Sequence, residues 1–278
     1  MVKTISILGC GWLGTALGKR FLTKGLAVKG SVATTNSYNL LETTGIQSYH
    51  LKIDPDKRVI DYKNFFNTDV LIISLPPRVE NVVENFPKQI QQVIPYIRET
   101  KIEKVLFISS TSVYESWNGF VREGEEGTPQ KPNGQALLFA EKILQALPGM
   151  QTTVLRLGGL IGYDRNPGRF LSGKTNVAAD TPVNLVHRDD AVQIISDLIE
   201  KNIWGEVFNA CSPQHPTKKE FYSKAAKISG LPAPIFTNVQ ENYKIVNSDK
   251  LIARLAYNFK YSSPMDYLKE LEEWAYRI

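Results

Sequence analysis

The stretch that decides the fold is Thr4-Ile5-Ser6-Ile7-Leu8-Gly9-Cys10-Gly11-Trp12-Leu13-Gly14, in which an apolar, partly β-branched run passes directly into three glycines. Apolar residues then recur with the spacing of a helix, at Leu13, Ala16, Leu17 and Phe21. The glycines therefore connect a predicted strand to a predicted helix.

A Gly-x-Gly-x-x-Gly turn in this position has a known physical role. The first glycine permits a tight turn, the second lets the backbone approach a diphosphate, and the third lets helix and strand pack closely. Unpaired N–H groups at the helix start can then hold the diphosphate. The context predicts a nicotinamide dinucleotide site. The residues that we assign to its turn are Gly9, Gly11, Trp12, Leu13 and Gly14.

Strands and helices alternate through the first 157 residues. Continuous apolar runs at 70–73 and 105–108 are typical of strands buried on both faces of a parallel sheet. Further strands are predicted at 27–32, 48–53 and 153–157. Helices are predicted around 90–97, with a kink or break at Pro95, and at 137–147. The alternation predicts an α/β fold, a Rossmann doubly wound parallel sheet.

The pattern loosens after Gly162. Residues 163–180 are predicted to form a long loop, and a capping box at Thr217 and Glu220 opens a predicted helix that runs to Ile228. Two short helices are expected in the last thirty residues. We predict an NAD(P)-binding domain at 1–157, completed by 183–211, and a smaller substrate lobe mainly at 158–278.

The composition is that of a globular protein. In 278 residues that are 42% hydrophobic, no apolar run reaches the roughly 18 residues of a membrane span. The first residues run straight into a strand pattern, without the regions of a signal peptide. Cys10 and Cys211 lack metal-ligand spacing and are predicted to be small buried hydrophobes. We expect a cytoplasmic protein with no membrane partner and no metal.

The net charge of +5 is spread along the chain, without a block of basic residues. Such a mild excess favours a small anionic ligand over a nucleic acid. A small-molecule substrate is therefore the expected partner, and the sequence leaves both a monomer and a homodimer open.

The end of the second predicted strand bears on the choice between NAD and NADP. An acidic residue there would accept hydrogen bonds from the adenosine ribose. The run from Gly30 to Thr35 has no acid, so nothing would repel a 2′-phosphate, and Thr34 and Thr35 could bind it. We favour NADP over NAD.

Several motifs together indicate a family. They are Ile108-Ser109-Ser110-Thr111-Ser112-Val113-Tyr114, Leu155-Arg156 with Gly162, Leu185-Val186-His187-Arg188-Asp189-Asp190 and Val207-Phe208-Asn209-Ala210. With the glycine turn they cover nearly the whole chain, and they resemble the extended short-chain dehydrogenase/reductase family, which includes NAD-dependent epimerases and dehydratases. Within it, Gly-Trp-Leu-Gly and the segment from Pro167 to Lys174 are most similar to the atypical YeeZ-like branch.

The resemblance implies roles for particular residues. Asp54 matches the acid that contacts adenine, and Leu75 and Pro76 match the loop over the cofactor ribose. Ser110 matches the active-site serine or threonine that hydrogen-bonds the reacting oxygen, and Ser109 beside it is counted with the cofactor residues.

Two features depart from that family. The glycine turn is one residue shorter than the usual form. The Tyr-x-x-x-Lys pair should precede Glu141, yet counting back places Asn133 and Leu137 at its two positions. In that pair the lysine lowers the tyrosine pKa so that the phenol can exchange a proton near pH 7. Neither Asn133 nor Leu137 can do this.

Other residues could supply a proton, and each also has a structural interpretation. Tyr114 is a candidate acid or a packed aromatic with a satisfied hydroxyl. His187 is a candidate base or a hydrogen-bonded histidine where a loop meets a helix. Ser110 could instead bond the backbone at its strand end. Asp189 and Asp190 are predicted to cap a helix.

Four cationic residues are candidates for substrate binding. Arg165, Arg169 and Lys174 crowd into one glycine-containing loop, and Arg156 ends a predicted strand. Arginine suits bidentate recognition of phosphate or carboxylate. A solvated loop is the alternative interpretation for the first three.

These observations support an NAD(P)-dependent oxidoreductase or epimerase-like enzyme that acts on a small anionic substrate, with sugar-like compounds among the candidates. The missing Tyr/Lys pair keeps a second hypothesis open, a non-catalytic NADP(H)-binding sensor or scaffold. A dehydrogenase of the 6-phosphogluconate type would share the glycine turn, but the mixed segment after Gly162 argues against its long helical domain.

Overall fold

The computed structural model describes residues 2–56 and 62–275. Up to residue 157, the strands are β1 (Thr4–Leu8), β2 (Ala27–Val32), β3 (Gln47–His50), β4 (Val70–Ile73), β5 (Lys104–Ser110), β6 (Gly119–Val121) and β7 (Gln151–Leu157). The helices are α1 (Trp12–Thr23), α2 (Thr35–Glu42), α3 (Lys63–Phe66), α4 (Val82–Glu99) and α5 (Pro132–Gln145), and a 3-10 turn at Thr111–Val113 follows β5.

Beyond residue 157 the elements are shorter. The strands are β8 (Gly159–Ile161), β9 (Val177–Ala178), β10 (Leu185–His187), β11 (Val207–Ala210), β12 (Phe236–Thr237) and β13 (Lys244–Val246). The helices are α6 (Arg188–Glu200), α7 (Lys218–Ile228), α8 (Asp249–Leu255) and α9 (Pro264–Ala275), with a 3-10 turn at Pro167–Arg169.

The predicted Rossmann sheet is confirmed. Seven strands lie in the order β11-β7-β5-β4-β1-β2-β3. The pairings of β1 with β2, β1 with β4, β2 with β3 and β4 with β5 are parallel. Residues 70–73 of β4 have no exposed surface, as expected for a central strand covered on both faces.

The chain divides into two compact units. The first contains the described residues up to Val113, Thr128–Arg156 and Ile195–Phe208. The second contains Tyr114–Gly127, Leu157–Ile194 and the described residues from Asn209 onward. Residues 114–127, which we assigned to the first domain, belong to the second unit.

The second unit has an apolar core of its own. Strands β8 and β10 pair in parallel and contribute Ile161 and Leu185 to it. Helices α7 and α9 add Phe221 and Leu268, each without exposed surface. The capping box that the sequence predicts at Thr217 and Glu220 is confirmed at the start of α7.

Helix α4 lacks the break that was one of the two outcomes predicted at Pro95. It continues through Pro87 and Pro95 without a break, although a proline inside a helix removes a backbone hydrogen bond at a cost of about 3 kcal/mol. Phe86, Ile90 and Val93 have no exposed surface. Tyr96 and Ile97 are buried on the same helix, and burial of each of these five side chains contributes about 1.5–3 kcal/mol, which together exceeds the penalty of about 6 kcal/mol for two prolines.

Other boundaries also differ from the predictions. Helix α5 begins at Pro132 rather than at 137, β3 is shorter than predicted, and α2 was not predicted. The predicted loop at 163–180 contains a 3-10 turn and β9. Among the described residues, no helix combines the length and apolar character that a bilayer crossing requires.

Candidate functional site

Two of the three turn glycines are required by close backbone contacts. Gly9 has φ +93°, and a Cβ there would lie 2.7 Å from the Ser74 carbonyl oxygen. At Gly14 a Cβ would lie 2.9 Å from the Gly9 carbonyl oxygen and 3.1 Å from Ile7 Cγ2. These positions therefore allow the tight turn and the close packing of α1 on β1.

Gly11 plays a different part. It is the N-cap of α1, no side chain caps this helix, and a Cβ at Gly11 would meet nothing within 4 Å. The first turn of a helix presents amide groups without intrahelical acceptors, together with the positive end of the helix dipole. Gly11 therefore leaves this helix start open on the side from which a diphosphate could approach these amides.

Ser31 holds this turn from the neighbouring strand, and the sequence analysis missed it. Its hydroxyl oxygen accepts the Gly9 N–H at 3.0 Å, and its carbonyl oxygen accepts the Cys10 N–H at 2.7 Å. Ser31 is buried within β2. A small polar residue opposite a glycine turn is the signal that could have indicated it.

The remaining predicted cofactor residues of the first unit follow β2, β3 and β4. Thr34 caps α2, since its hydroxyl oxygen accepts the Ser37 N–H, and Thr35 begins that helix. Asp54 accepts the Asp56 N–H at 3.0 Å. Leu75 is half-buried and Pro76 exposed after β4. Carboxyl ends of parallel strands meet at one sheet edge, which is where dinucleotides bind in such folds.

Ser109 and Ser110 end β5 with opposite orientations. Ser109 is buried, and its hydroxyl donates to Glu141 Oε1 at 2.5 Å. The Ser110 oxygen accepts the Ser112 N–H at 3.2 Å. Within the described part of the chain the Ser110 hydroxyl has no protein acceptor, so its proton is available to a ligand. Ser109, predicted to bind the cofactor, has its hydroxyl committed to Glu141.

Arg156 also differs from the prediction. Its side chain is 3% exposed and forms an ion pair with Glu141, with Nη2 2.5 Å from Oε2 and Nε 3.1 Å from Oε1. A guanidinium in this position is out of reach of a substrate in solvent. The sequence could not indicate this, because Glu141 lies on a different element fifteen residues away.

Tyr114 is enclosed in the second unit. The residue is 2% exposed, and its hydroxyl donates to Asn209 Oδ1 at 2.7 Å. Asn209 also donates its own amide groups to Glu123 and to the Asn247 carbonyl oxygen. This arrangement matches the packed-aromatic interpretation, and it leaves the phenol without access to solvent.

His187 is buried among tyrosine rings. Its ring centroid lies 4.2 Å from that of Tyr261 and 4.6 Å from that of Tyr267. Nδ1 accepts the Asp189 N–H at 3.2 Å, so Nε2 carries the proton of the neutral ring. Nε2 is buried and has no hydrogen-bond partner among the described residues. Burial lowers the His187 pKa to about 4, and the ring is neutral near pH 7.

The two aspartates do not cap α6 as predicted, because the helix begins at Arg188 and both lie in its first turn. Asp190 has no exposed surface and accepts the Tyr257 hydroxyl at 2.8 Å and the Lys260 N–H at 2.7 Å. Burial raises its pKa in spite of these bonds. Burial would also raise the Asp189 pKa, but hydrogen bonds from Lys260 and Tyr163 outweigh it and lower that pKa.

The three cationic loop residues lie in the second unit. Arg169 and Lys174 are exposed and Arg165 is half-buried. Asn166 caps the 3-10 turn by accepting the Gly168 N–H at 2.8 Å. The loop is thus ordered at its centre, with Arg169 and Lys174 turned to solvent where an anion could reach them.

The sequence was compared with protein-family models and with known proteins. No protein-family model matches the chain. Protein YeeZ of Escherichia coli strain K12 is 33% identical over 269 residues, which cover 95% of this chain and 98% of that protein. The chain belongs to the YeeZ family. This confirms the YeeZ-like resemblance of the motifs.

Solved structures share the fold of this YeeZ-family chain. A conserved protein from Silicibacter pomeroyi has a TM-score of 0.80 at 21% identity, over 98% of this chain and 99% of that one. The UDP-glucuronic acid 4-epimerase of Bacillus cereus, in complex with UDP-glucuronic acid and NAD, has a TM-score of 0.78 at 20% identity, over 99% of both chains. At these identities the likeness concerns the fold.

In this YeeZ-family member, helix α5 carries Asn133 and Leu137, the two residues that the sequence analysis assigns to the Tyr/Lys positions. Asn133 is exposed in its first turn, whereas Leu137 is 3% exposed. A carboxamide can hold a hydrogen bond but has no proton to exchange near pH 7, and a leucine has neither function. Cys10 and Cys211 are buried as predicted, and burial raises the Cys10 pKa to about 12, so neither is a reactive thiol.

Proposed function

We propose that this chain binds a nicotinamide dinucleotide, NADP in preference to NAD, and works as an oxidoreductase or epimerase-like enzyme. Its substrate is a small anion, with sugar-like compounds among the candidates. The observation that carries the proposal is the open space over Gly11, at an uncapped helix start between two glycines that admit no side chain.

The preference for NADP rests on the end of β2. Ala33, Thr34 and Thr35 are exposed there, and no carboxylate follows the strand to compete with a 2′-phosphate. The Thr34 hydroxyl is engaged with Ser37 at the start of α2. The amides of that first turn and the Thr35 hydroxyl are therefore the groups that would receive the phosphate.

The substrate class rests on the cationic loop of the second unit. Arg169 and Lys174 are exposed, and an arginine can bind a phosphate or carboxylate through two parallel hydrogen bonds. The Bacillus cereus structure of the same fold holds UDP-glucuronic acid, an anionic sugar nucleotide. This supports a sugar-like anion without selecting one compound.

The protein itself must position the reactants and hold a reacting oxygen. When bound, the dinucleotide supplies hydride transfer. Ser110 is the polar group suited to the oxygen, since its own oxygen accepts the Ser112 N–H and its proton is available to a ligand. Tyr114 and His187 are enclosed, so their proposed proton transfer would need a change in this structure.

Titration calorimetry with NADPH, NADP, NADH and NAD tests the binding step. Gly11→Asp places a carboxylate in the space assigned to the diphosphate and should abolish binding. Thr23→Asp adds the same charge at the exposed far end of α1 and should leave affinity unchanged. Absence of affinity for all four dinucleotides would overturn the proposal.

Turnover requires a second measurement. NADPH oxidation is followed with a panel of keto-sugars and keto-acids, and epimerisation with UDP-sugars. Ser110→Ala should lower the rate by about tenfold or more, because one oriented donor to a reacting oxygen contributes that much or more in other enzymes. Binding of NADPH without turnover of any compound would contradict the enzymatic part.

A non-catalytic NADP(H)-binding sensor is the second candidate. The observation in its favour is that Tyr114 is enclosed, and the prediction that Asn133 and Leu137 stand at the Tyr/Lys positions agrees with it. In that case Ser110→Ala and Tyr114→Phe would change no measurable property of the dinucleotide complex, whereas Gly11→Asp would still abolish binding.

A further inference from the structure

Three buried side chains in the first unit form what we call the Glu141 cluster. Ser109, Glu141 and Arg156 are 4%, 1% and 2% exposed. Glu141 accepts the Ser109 hydroxyl at 2.5 Å and two nitrogens of Arg156, with Nη2 at 2.5 Å from Oε2. The cluster therefore joins helix α5 to the ends of β5 and β7 through charge-assisted hydrogen bonds, which are short and directional.

Stability alone does not account for such a cluster. Removal of two charges from water is costly, and a buried ion pair can often be replaced by apolar residues with no loss of stability. Apolar contacts, unlike hydrogen bonds, have no preferred direction. Hydrogen bonds from two strands to one carboxylate fix where α5 lies along the sheet, while apolar contacts allow it to slide by fractions of an ångström.

The position of α5 matters at its first turn. A Cβ at Gly134 would lie 2.2 Å from the Ser112 carbonyl oxygen, so the helix start directly touches the 3-10 turn after β5. That turn is also tied to Ser110, whose oxygen accepts the Ser112 N–H. Ser110 is thus constrained from two sides, through its neighbour Ser109 in the chain and through the α5 start at Gly134.

We infer that Ser109, Glu141 and Arg156 are positioning residues that hold Ser110 and its turn in place for the reacting oxygen. The catalytic importance of Ser110 rests on the proposed function, but the constraint that the Glu141 cluster places on residues 110–113 does not. Helical spacing supports the inference. Asn133, Leu137 and Glu141 are four residues apart and lie on one face of α5, which is buried at the cluster and exposed beside the turn.

The test compares two double variants in the full chain. Glu141→Met with Arg156→Met replaces the ion pair by apolar groups of similar length. Lys63→Met with Glu99→Met removes an ion pair whose side chains are 65% and 50% exposed, and serves as the matched control. Amide hydrogen exchange is measured for residues 110–113 and 132–136, with β1 as an internal reference. Thermal unfolding, NADPH affinity and turnover are measured on the same proteins.

In the cluster variant we expect exchange in both segments to become about tenfold faster while β1 and the thermal midpoint stay near the wild type. We expect kcat to fall about tenfold and NADPH affinity to change less than about twofold, because the glycine turn lies on other elements. The control variant should change none of these quantities. A merely structural role would instead lower the midpoint and alter all segments together.

Ser109→Ala covers the case in which the double variant does not fold, since it removes one hydrogen bond and keeps the ion pair. It should accelerate exchange in residues 110–113 by about threefold. Unchanged exchange there in every folded variant would overturn the inference. If the wild-type chain had no dinucleotide affinity, the proposed function would be wrong. Amide hydrogen exchange at residues 110–113 would still decide whether the Glu141 cluster positions the turn after β5.

Discussion

The hydroxyl oxygen of Ser31 accepts the N–H of Gly9 at 3.0 Å, and it thereby fixes the first glycine of the turn from the neighbouring strand. Ser31→Ala leaves that part-buried N–H without this acceptor, at a cost of about 1 kcal/mol. We expect the free energy of unfolding to fall by this amount in urea, and the NADPH dissociation constant to rise by about three- to tenfold. Ser262→Ala at an exposed serine is the control, and equal affinity in both variants would contradict the prediction.

Alanine at Gly134 should mainly lower the free energy of unfolding, whereas alanine at Gly11 should mainly weaken dinucleotide binding. At Gly134 the new Cβ would lie 2.2 Å from the Ser112 carbonyl oxygen, so Gly134→Ala should lower the free energy of unfolding by about 1–3 kcal/mol. Gly11→Ala meets nothing within 4 Å, so it should cost only the N-cap preference for glycine over alanine, about 0.5–1 kcal/mol, while it weakens dinucleotide binding. Chemical denaturation and calorimetry separate the two effects, and a stable Gly134→Ala protein would refute the close contact.

His187 predicts a dependence of stability on pH. Burial lowers its pKa from 6.5 to about 4. Between pH 4 and 6.5 the imidazole is therefore mostly protonated in the unfolded chain and mostly neutral in the folded chain. The folded state therefore loses stability as pH falls from 6.5 to about 4, by at most about 3 kcal/mol. Above pH 6.5 this group contributes no pH dependence.

The measurement for this prediction is urea denaturation at several pH values. His187→Asn keeps an acceptor for the Asp189 N–H and removes the titrating ring. We expect its slope of stability against pH to be smaller between pH 4 and 6.5. It should not vanish, because burial also lowers the His215 pKa. Identical slopes in wild type and variant would exclude His187 as the source.

Asn133 and Leu137, which the sequence assigns to the Tyr/Lys positions, should tolerate substitution to very different degrees. Asn133 is exposed, so Asn133→Tyr should cost less than about 0.5 kcal/mol. Leu137 is 3% exposed, and Leu137→Lys would bury an ammonium group, which should cost about 2–5 kcal/mol. Thermal unfolding of both single variants checks this, and equal midpoints would show that this side of α5 is more accessible than the structure indicates.

The glycine turn between β1 and α1 was predictable because its determinants are local. The three glycines, the preceding apolar run and the following helical spacing all lie within residues 4–21, and each has a steric reason to be there. The parallel sheet was predictable for the same reason, from continuous apolar runs. The unbroken α4 was not, because the packing that overrides Pro95 comes from residues distant in the sequence.

The polar residues of the site could be assigned only in part. Arg156, Ser109 and Tyr114 are polar residues at or just after strand ends, where the sequence allows ligand contact for each of them. In the structure each has a protein partner, Glu141 for the first two and Asn209 for the third. Whether a polar group faces a ligand or a partner depends on tertiary contacts, which spacing along the chain does not encode.

The contacts of Asp190 have a consequence for the order in which the chain is made. Its carboxylate, near the start of α6, accepts hydrogen bonds from Tyr257, Lys260 and Tyr261, about seventy residues later. During synthesis on the ribosome, burial of this carboxylate would leave it without these three donors until that segment has emerged. Completion of the second unit must therefore wait until residues 257–261 have emerged, and a fragment that stops before Tyr257 should be captured by chaperones or degraded.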